Sequence, residues 1–179
     1  MQKGTGMDQI TDYITGKTVT NTGAEMNRQA MEKFLVEKKG FLPTDIAVDV
    51  PITFPIEDTI YRSRVDLLVS VDDQPLMAVK CAAGSLGSRE REILAEARLV
   101  MDHQIPFAVA TDGKTAMVLD TLTGKKKAEG LDAIPSRKKA AAQLQQITPQ
   151  LLPKRRTIKE RLIFRSYDGM NVNIQKRDG

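Results

Sequence analysis

Hydrophobic positions along the chain switch between helical and extended spacing, which predicts an α/β domain with a sheet flanked by helices. Apolar residues recur every four positions from Met26 to Phe34, and Gly40 stops the pattern, so the first helix is predicted over about residues 24–39. Thr22 and Glu25 have the spacing of a capping box at its start. This segment therefore has both the periodicity and the boundary signals of a helix.

Three extended segments follow the first helix. Residues 46–54, interrupted by Pro51, and residues 64–71 are rich in aliphatic and β-branched side chains. A turn at residues 72–74 leads into a third strand over 75–81, which predicts a hairpin. Ser88 is a candidate cap for a second helix ending near residue 102, and residues 106–111 return as a strand.

The pattern is weaker towards the C-terminus. Residues 115–120 predict one last strand, and the lysines at 125–127 are typical of a loop. A helix over 136–147 and a basic amphipathic stretch over 155–165 follow, with Pro149 and Pro153 between them. We divide the chain into a domain over 8–137 and a basic, partly helical C-terminal extension over 138–179.

Charge is distributed unevenly between these parts. Residues 1–120 carry 13 Lys and Arg against 18 Asp and Glu, whereas residues 121–179 carry 14 against 5. A basic final third on an acidic body is typical of a protein that contacts an anionic partner such as nucleic acid. Solvated helix faces would produce the same count.

Cysteine and histidine content excludes a zinc-type site, because Cys81 and His103 are the only residues of their kinds. Cys81 lies in an apolar run and is predicted to be a buried, inert thiol. No apolar run approaches the roughly 18 residues needed to cross a bilayer, so we expect a cytoplasmic protein with no membrane partner.

The predicted hairpin carries two charged residues, Asp66 and Lys80, within apolar strands. Equal parity along a strand places side chains on one face, so the two can share a space. One interpretation is a salt bridge that offsets the cost of burying both charges. The other is a phosphodiesterase site in which carboxylates hold Mg²⁺ or Mn²⁺ and a lysine assists the attack on phosphate.

Short motifs in a fixed order connect the chain to a known family. They are Asp12-Tyr-Ile-Thr-Gly-Lys17, Glu25 with Arg28-Gln29, Arg64-Val-Asp66, the segment 75–81, Ile105-Pro-Phe with Thr111-Asp-Gly113, and the segment 130–137. Together they resemble the N-terminal domain of type I restriction enzyme R subunits, over roughly residues 8–137. The resemblance implies a PD-(D/E)XK nuclease fold, which is a restriction-endonuclease-like mixed central sheet flanked by helices with an αβββαβ core.

The resemblance also implies roles for particular residues. Asp66 corresponds to the metal-binding aspartate, and Glu25 to the acidic residue that the first helix contributes. Glu25 and Lys80 join Asp66 as candidate catalytic residues. Closing the capping box is the competing role for Glu25.

This sequence departs from the family pattern at the second strand, where a Glu, one residue and a Lys are expected. If Lys80 is the family lysine, the glutamate has become Ala78. If Lys80 stands at the glutamate position, Ala82 replaces the lysine. In both alignments a carboxylate is missing from a site that needs oxygen ligands for Mg²⁺ or Mn²⁺.

Glu96, on the second helix, is the candidate to replace that ligand, and an exposed partner for nearby arginines is its alternative role. Arg89 and Arg91 open the same helix and could bind phosphate, as could the tail residues Arg155, Arg156 and Arg161. We therefore expect a DNA-backbone-binding domain, with hydrolysis impaired by the lost glutamate. The alternative is a catalytically inactive module for nucleic-acid binding or protein docking. In addition to DNA, the expected partners are restriction-modification subunits or a second copy of the chain.

Overall fold

The computed structural model describes residues 8–177, and the side chains of residues 8–170. Eight strands are present in this range: β1 (Gln9–Thr11), β2 (Thr18–Thr20), β3 (Ile46–Ile56), β4 (Thr59–Val71), β5 (Gln74–Cys81), β6 (Phe107–Thr111), β7 (Ala116–Asp120) and β8 (Lys126–Glu129). The helices of the same range are α1 (Gly23–Glu37), α2 (Glu90–Leu99), α3 (Arg137–Leu144) and α4 (Lys154–Arg177). Every helix of this part of the chain is too short or too polar to span a lipid bilayer.

The central element is a six-stranded mixed sheet in the order β3-β4-β5-β6-β7-β8. All neighbours are antiparallel except β5 and β6, which are parallel and joined through α2. The predicted succession of helix, three strands, helix and strand is confirmed as α1, β3, β4, β5, α2 and β6. The fold class is confirmed as a mixed α/β sheet flanked by helices.

Several local predictions were wrong or incomplete. The β1–β2 hairpin was not predicted, and β8 contains two of the lysines assigned to a loop, Lys126 and Lys127. Strand β3 runs through Pro51 without interruption, because it lies at the sheet edge, where a missing N–H is tolerated. Ser88 does not cap α2; it lies in a short 3₁₀ turn, and its Oγ donates to the carbonyl of Ser85 at 2.7 Å.

Strand alternation divides the core into two layers. Residues such as Leu67, Val69 and Val79 face α1 and α3, whereas Leu68 and Ala78 face α2 and α4. Cys81 belongs to the first layer, where it is a free, buried thiol with a pKa raised by burial, as predicted. Because Asp66 and Lys80 have the parity of the second layer, they are directed towards α2.

Helix α4 packs along α2 and is fastened there by both apolar and charged groups. Phe164 is fully buried, in an edge contact with the ring of Phe54 at 6.0 Å. Arg98 of α2 and Glu160 of α4 form a buried ion pair of 2.7 Å. The C-terminal extension therefore lies against the domain, and the boundary predicted at residue 137 stays a prediction.

Candidate active site

Asp66 and Lys80 occupy facing positions on β4 and β5. The strands pair Leu68 with Ala78 and Leu67 with Val79, so the next step of the same register sets Asp66 opposite Lys80. The Lys80 Nζ lies 4.0 Å from Asp66 Oδ1, and Asp66 Oδ2 accepts a hydrogen bond from the backbone N–H of Cys81 at 2.7 Å. Both carboxylate oxygens of Asp66 therefore face cationic or N–H groups of β5.

Two glutamates of α2 complete the surroundings of Lys80. Its Nζ lies 3.2 Å from Glu92 Oε1 and 3.3 Å from Glu96 Oε1, and both glutamates are fully buried. A spacing of four residues places them on one face of α2, directly over the sheet. One ammonium group is thus surrounded by three carboxyl groups.

The position of Glu96 excludes one of its two predicted roles. The alternative of an exposed partner for arginines is wrong, because the side chain is buried against Lys80. Glu92 was not predicted at all. The only signal in the sequence is its four-residue separation from Glu96, which places the two side chains on one face of α2. The sequence does not show that this face packs against Lys80.

The electrostatics of the site follow from burial and from these contacts. Burial raises the pKa of Glu96 to about 8, against the opposing effect of Lys80. Burial also raises the pKa of Asp66. The neighbouring carboxylates hold the pKa of Lys80 well above its usual value, although burial alone would lower it. Burial therefore favours the neutral form of Glu96, and the neighbouring carboxylates favour the charged form of Lys80.

Glu96→Gln is expected to flatten the pH dependence of stability. The ordinary pKa of the group is 4.5, so between that pH and about 8 the folded chain binds this proton and the unfolded chain does not. Stability therefore falls as pH rises through this window, by up to about 1.4 kcal/mol per pH unit for one proton. Urea unfolding of both proteins at pH 5, 6, 7 and 8 measures the difference.

The matched control for that comparison is Glu32→Gln in α1. Burial raises the pKa of Glu32 to about 7, so its removal should flatten the curve below pH 7 and leave the fall between pH 7 and 8. Parallel curves for wild type and Glu96→Gln would show that Glu96 is ionised in the folded chain at neutral pH.

Glu25 belongs to a second cluster, centred on Arg28 of α1. The Arg28 guanidinium lies 2.8 Å from Glu25, 2.9 Å from Asp49 and 3.2 Å from Asp12. Glu25 also accepts from Gln29 Nε2 at 2.7 Å. Glu25 is not among the carboxyl groups within 4.0 Å of the Lys80 ammonium, although the two clusters adjoin, because the charge of Arg28 acts on the Asp66 carboxyl group.

The capping-box role of Glu25 is half present. Thr22 Oγ1 accepts from the backbone N–H of Glu25 at 3.1 Å, while the Thr22 N–H donates to the carbonyl of Thr20. The Glu25 carboxylate is directed at Arg28 instead of closing the box. The sequence motif thus located the helix start correctly and misassigned one of its two hydrogen bonds.

The five arginines predicted to bind nucleic acid lie in three places. Arg89 Nη1 contacts Glu92 at 3.3 Å, next to the group around Lys80. Arg161 lies across the ring of Phe54 and donates to the carbonyl of Pro55. Arg91, Arg155 and Arg156 line one groove between α2 and α4.

A divalent cation does not fit the carboxylates as they are arranged. The Lys80 ammonium lies among Asp66, Glu92 and Glu96, in the space that a shared cation would need. Within the described residues no group of three or more His, Cys, Asp or Glu side chains is disposed to hold a metal ion.

Sheet order and the β5-α2-β6 unit define a mixed α/β fold with helices on both faces, and comparisons with known proteins indicate its family. The family model described as the type I restriction enzyme R protein N terminus matches residues 23–135. A solved fragment assigned as an HsdR subunit of a type I restriction enzyme from Vibrio vulnificus YJ016 superposes with a TM-score of 0.52 at 17% identity. No curated protein matches the sequence.

The chain belongs to the family of type I restriction enzyme R protein N-terminal domains, as predicted from its motifs. The superposition covers 70% of this chain and 26% of the solved fragment. At 17% identity that likeness shows the fold alone.

Proposed function

We propose that this domain is a DNA-binding module on a nuclease fold that does not hydrolyse DNA. The observation that carries the proposal is the position of Lys80, opposite Asp66 and within 3.3 Å of both Glu92 and Glu96. An ammonium group replaces the divalent cation as the partner of the carboxylates. The fold is retained, and the charge of its carboxyl groups is compensated by the ammonium group of Lys80.

The strand register supports one of the two alignments with the family motif. Two carboxylates that share a cation must be neighbours, and the cross-strand neighbour of Asp66 is position 80. Ala78 lies opposite Leu68, fully buried in the apolar layer under α2, where a glutamate would be directed into the core. On this basis Lys80 stands at the glutamate position and Ala82 at the lysine position.

This assignment explains why hydrolysis is not expected. A lysine at the glutamate position contributes positive charge where a ligand is needed, and an alanine at the lysine position cannot stabilise charge on phosphate. Glu92 and Glu96 do not restore the ligand set, because both are fully buried and directed at Lys80. The two substitutions together remove the functions of both motif residues.

DNA binding is supported by family membership and by charge. The family includes subunits of restriction enzymes, whose substrate class is DNA, and other restriction-modification subunits are the protein partners that it suggests. The excess of 14 basic over 5 acidic residues after position 120 supplies cations for phosphate contacts. Such binding needs no metal ion, because the lysine and arginine side chains themselves neutralise the phosphates.

Metal-independent DNA binding is the test of this proposal. Fluorescence anisotropy with a labelled DNA duplex should give saturable binding with the same dissociation constant in EDTA and in Mg²⁺ at matched ionic strength. Affinity should fall steeply as salt increases, because phosphate contacts release counterions. No binding at low salt, or binding only in the presence of Mg²⁺, would contradict the proposal.

A further inference from the structure

We infer that duplex DNA binds through its phosphate backbone in the groove between the first turns of α2 and α4. This assignment rests on the proposed function. The groove has a volume of about 500 Å³. Its lining residues are Arg91, Pro153, Arg155, Arg156, Lys159 and Glu160. Four of these six residues are cationic, from two helices that are distant in sequence.

Positive charge in this groove is largely uncompensated. Arg91, Arg155 and Lys159 are exposed, and no acidic group of the described residues lies within 4.0 Å of their charged atoms. The acidic lining residue, Glu160, is buried and forms an ion pair of 2.7 Å with Arg98. Its contact with Arg156, at 3.5 Å, is a second and longer ion pair. The groove is therefore suited to a polyanion.

The start of α4 adds to this potential. The helix begins at Lys154, beside the groove, and its 24 residues direct the positive end of the macrodipole towards the lining residues. A helix N-terminus next to several arginines favours phosphate oxygens. Four cations along one groove match successive phosphates of a backbone better than a single free phosphate.

The lining residues also indicate which form of DNA is bound. None of the six has an aromatic ring on which an unpaired base could stack, and base stacking is the main means of holding single strands. Arginine and lysine contacts to phosphate carry no direct sequence information. The groove therefore suits duplex DNA, bound through its backbone and without regard to sequence.

Most of the residues that line this groove lie outside the part of the chain that matches the family. Arg155, Arg156 and Lys159 follow residue 135, where the family match ends, and only Arg91 lies within it. The buried Arg98–Glu160 pair joins the two contributing helices and fixes the groove between them. Glu92 and Glu96 face the sheet from the buried side of α2, and neither they nor Asp66 line the groove.

The triple variant Arg91→Gln, Arg155→Gln and Lys159→Gln tests the groove. These side chains are exposed and make no ion pair within the described residues, so the melting temperature should stay within a few degrees of wild type. Affinity for a mixed-sequence duplex should fall at least about ten-fold, and the slope of log K against log salt should decrease by about 2.7 for three lost phosphate contacts. Each single substitution should reduce the slope by about 0.9.

The matched control neutralises three exposed lysines of the acidic body, Lys17, Lys38 and Lys114, with the same change in net charge. This control should bind within about two-fold of wild type with an unchanged slope. Wild-type affinity in the triple variant would overturn the groove and leave the proposed function intact. Absence of duplex binding by wild type would overturn both, and tighter binding of single strands than of duplex would overturn the duplex assignment.

Discussion

Replacing Lys80 with methionine should lower the free energy of unfolding by about 3–5 kcal/mol at pH 8, the cost of removing one partner from a buried ion pair. The substitution removes the ammonium group that lies 3.2 Å from Glu92 and 3.3 Å from Glu96, and it leaves Arg89 at 3.3 Å from Glu92. Asp66 loses its cross-strand partner at the same time. Methionine keeps most of the side-chain volume, so the loss reports charge and not a cavity.

The same variant should lose less stability at pH 5 than at pH 8. Without the ammonium group the carboxyl groups can become neutral only by binding protons, which is easier at low pH. The pKa values of Asp66 and Glu96, which burial already raises, then rise further above those of the unfolded chain, so stability decreases as pH increases. Urea unfolding at both pH values measures the effect, with exposed Lys138→Met expected to stay within about 0.5 kcal/mol of wild type. Unchanged stability of Lys80→Met at pH 8 would mean that Lys80 does not compensate these acids.

Replacing Arg98 with methionine should cost about 3–5 kcal/mol, because Glu160 would then remain buried without its closest cation. Arg98 also donates from Nε and Nη2 to the carbonyl of Thr121, at 3.0 and 2.8 Å. The change removes the charged contact between α4 and α2 and leaves Phe164 as the apolar anchor of α4. The groove between the two helices loses the pair that fixes it, so DNA affinity should fall together with stability.

A double-mutant cycle separates these contributions. The double variant Arg98→Met, Glu160→Met removes both charges and should recover most of the loss, because apolar replacements of a buried pair are often neutral. The part that is not recovered reports the hydrogen bonds to Thr121. A single Arg98→Met variant that costs less than about 1 kcal/mol, with α4 still resistant to proteolysis, would show that the pair does not hold the helix.

Strand periodicity predicted most of the sheet, because its central strands are continuous aliphatic runs with clear turn residues. Asp72 and Asp73 adopt positive φ angles of 49° and 63° in the turn between β4 and β5, as a tight hairpin requires. Strand β8 was not predicted, since a lysine-rich segment at a sheet edge is indistinguishable from a loop in a single sequence. The short β1–β2 hairpin likewise has too few apolar residues to be recognised.

Only the part of the candidate site that lies on the strands was predictable, because it follows from the alternation of side chains along β4 and β5. Parity placed Asp66 and Lys80 together, and the missing glutamate was visible in the motif. Glu92 could not be found, because its approach to Lys80 depends on how α2 lies across the sheet. The sequence also does not show that Arg89 and Arg91 differ in their surroundings. Arg89 contacts Glu92, whereas Arg91 lines the groove between α2 and α4.

Cleavage of DNA by the wild-type protein is the measurement that tests the central claim most directly. Labelled duplex DNA is incubated with excess protein at pH 8 in Mn²⁺ and in Mg²⁺, and its length is followed over hours, with binding verified in the same samples. The internal neutralisation by Lys80 predicts DNA that is bound and remains full length. Metal-dependent products that disappear in Asp66→Asn would contradict it.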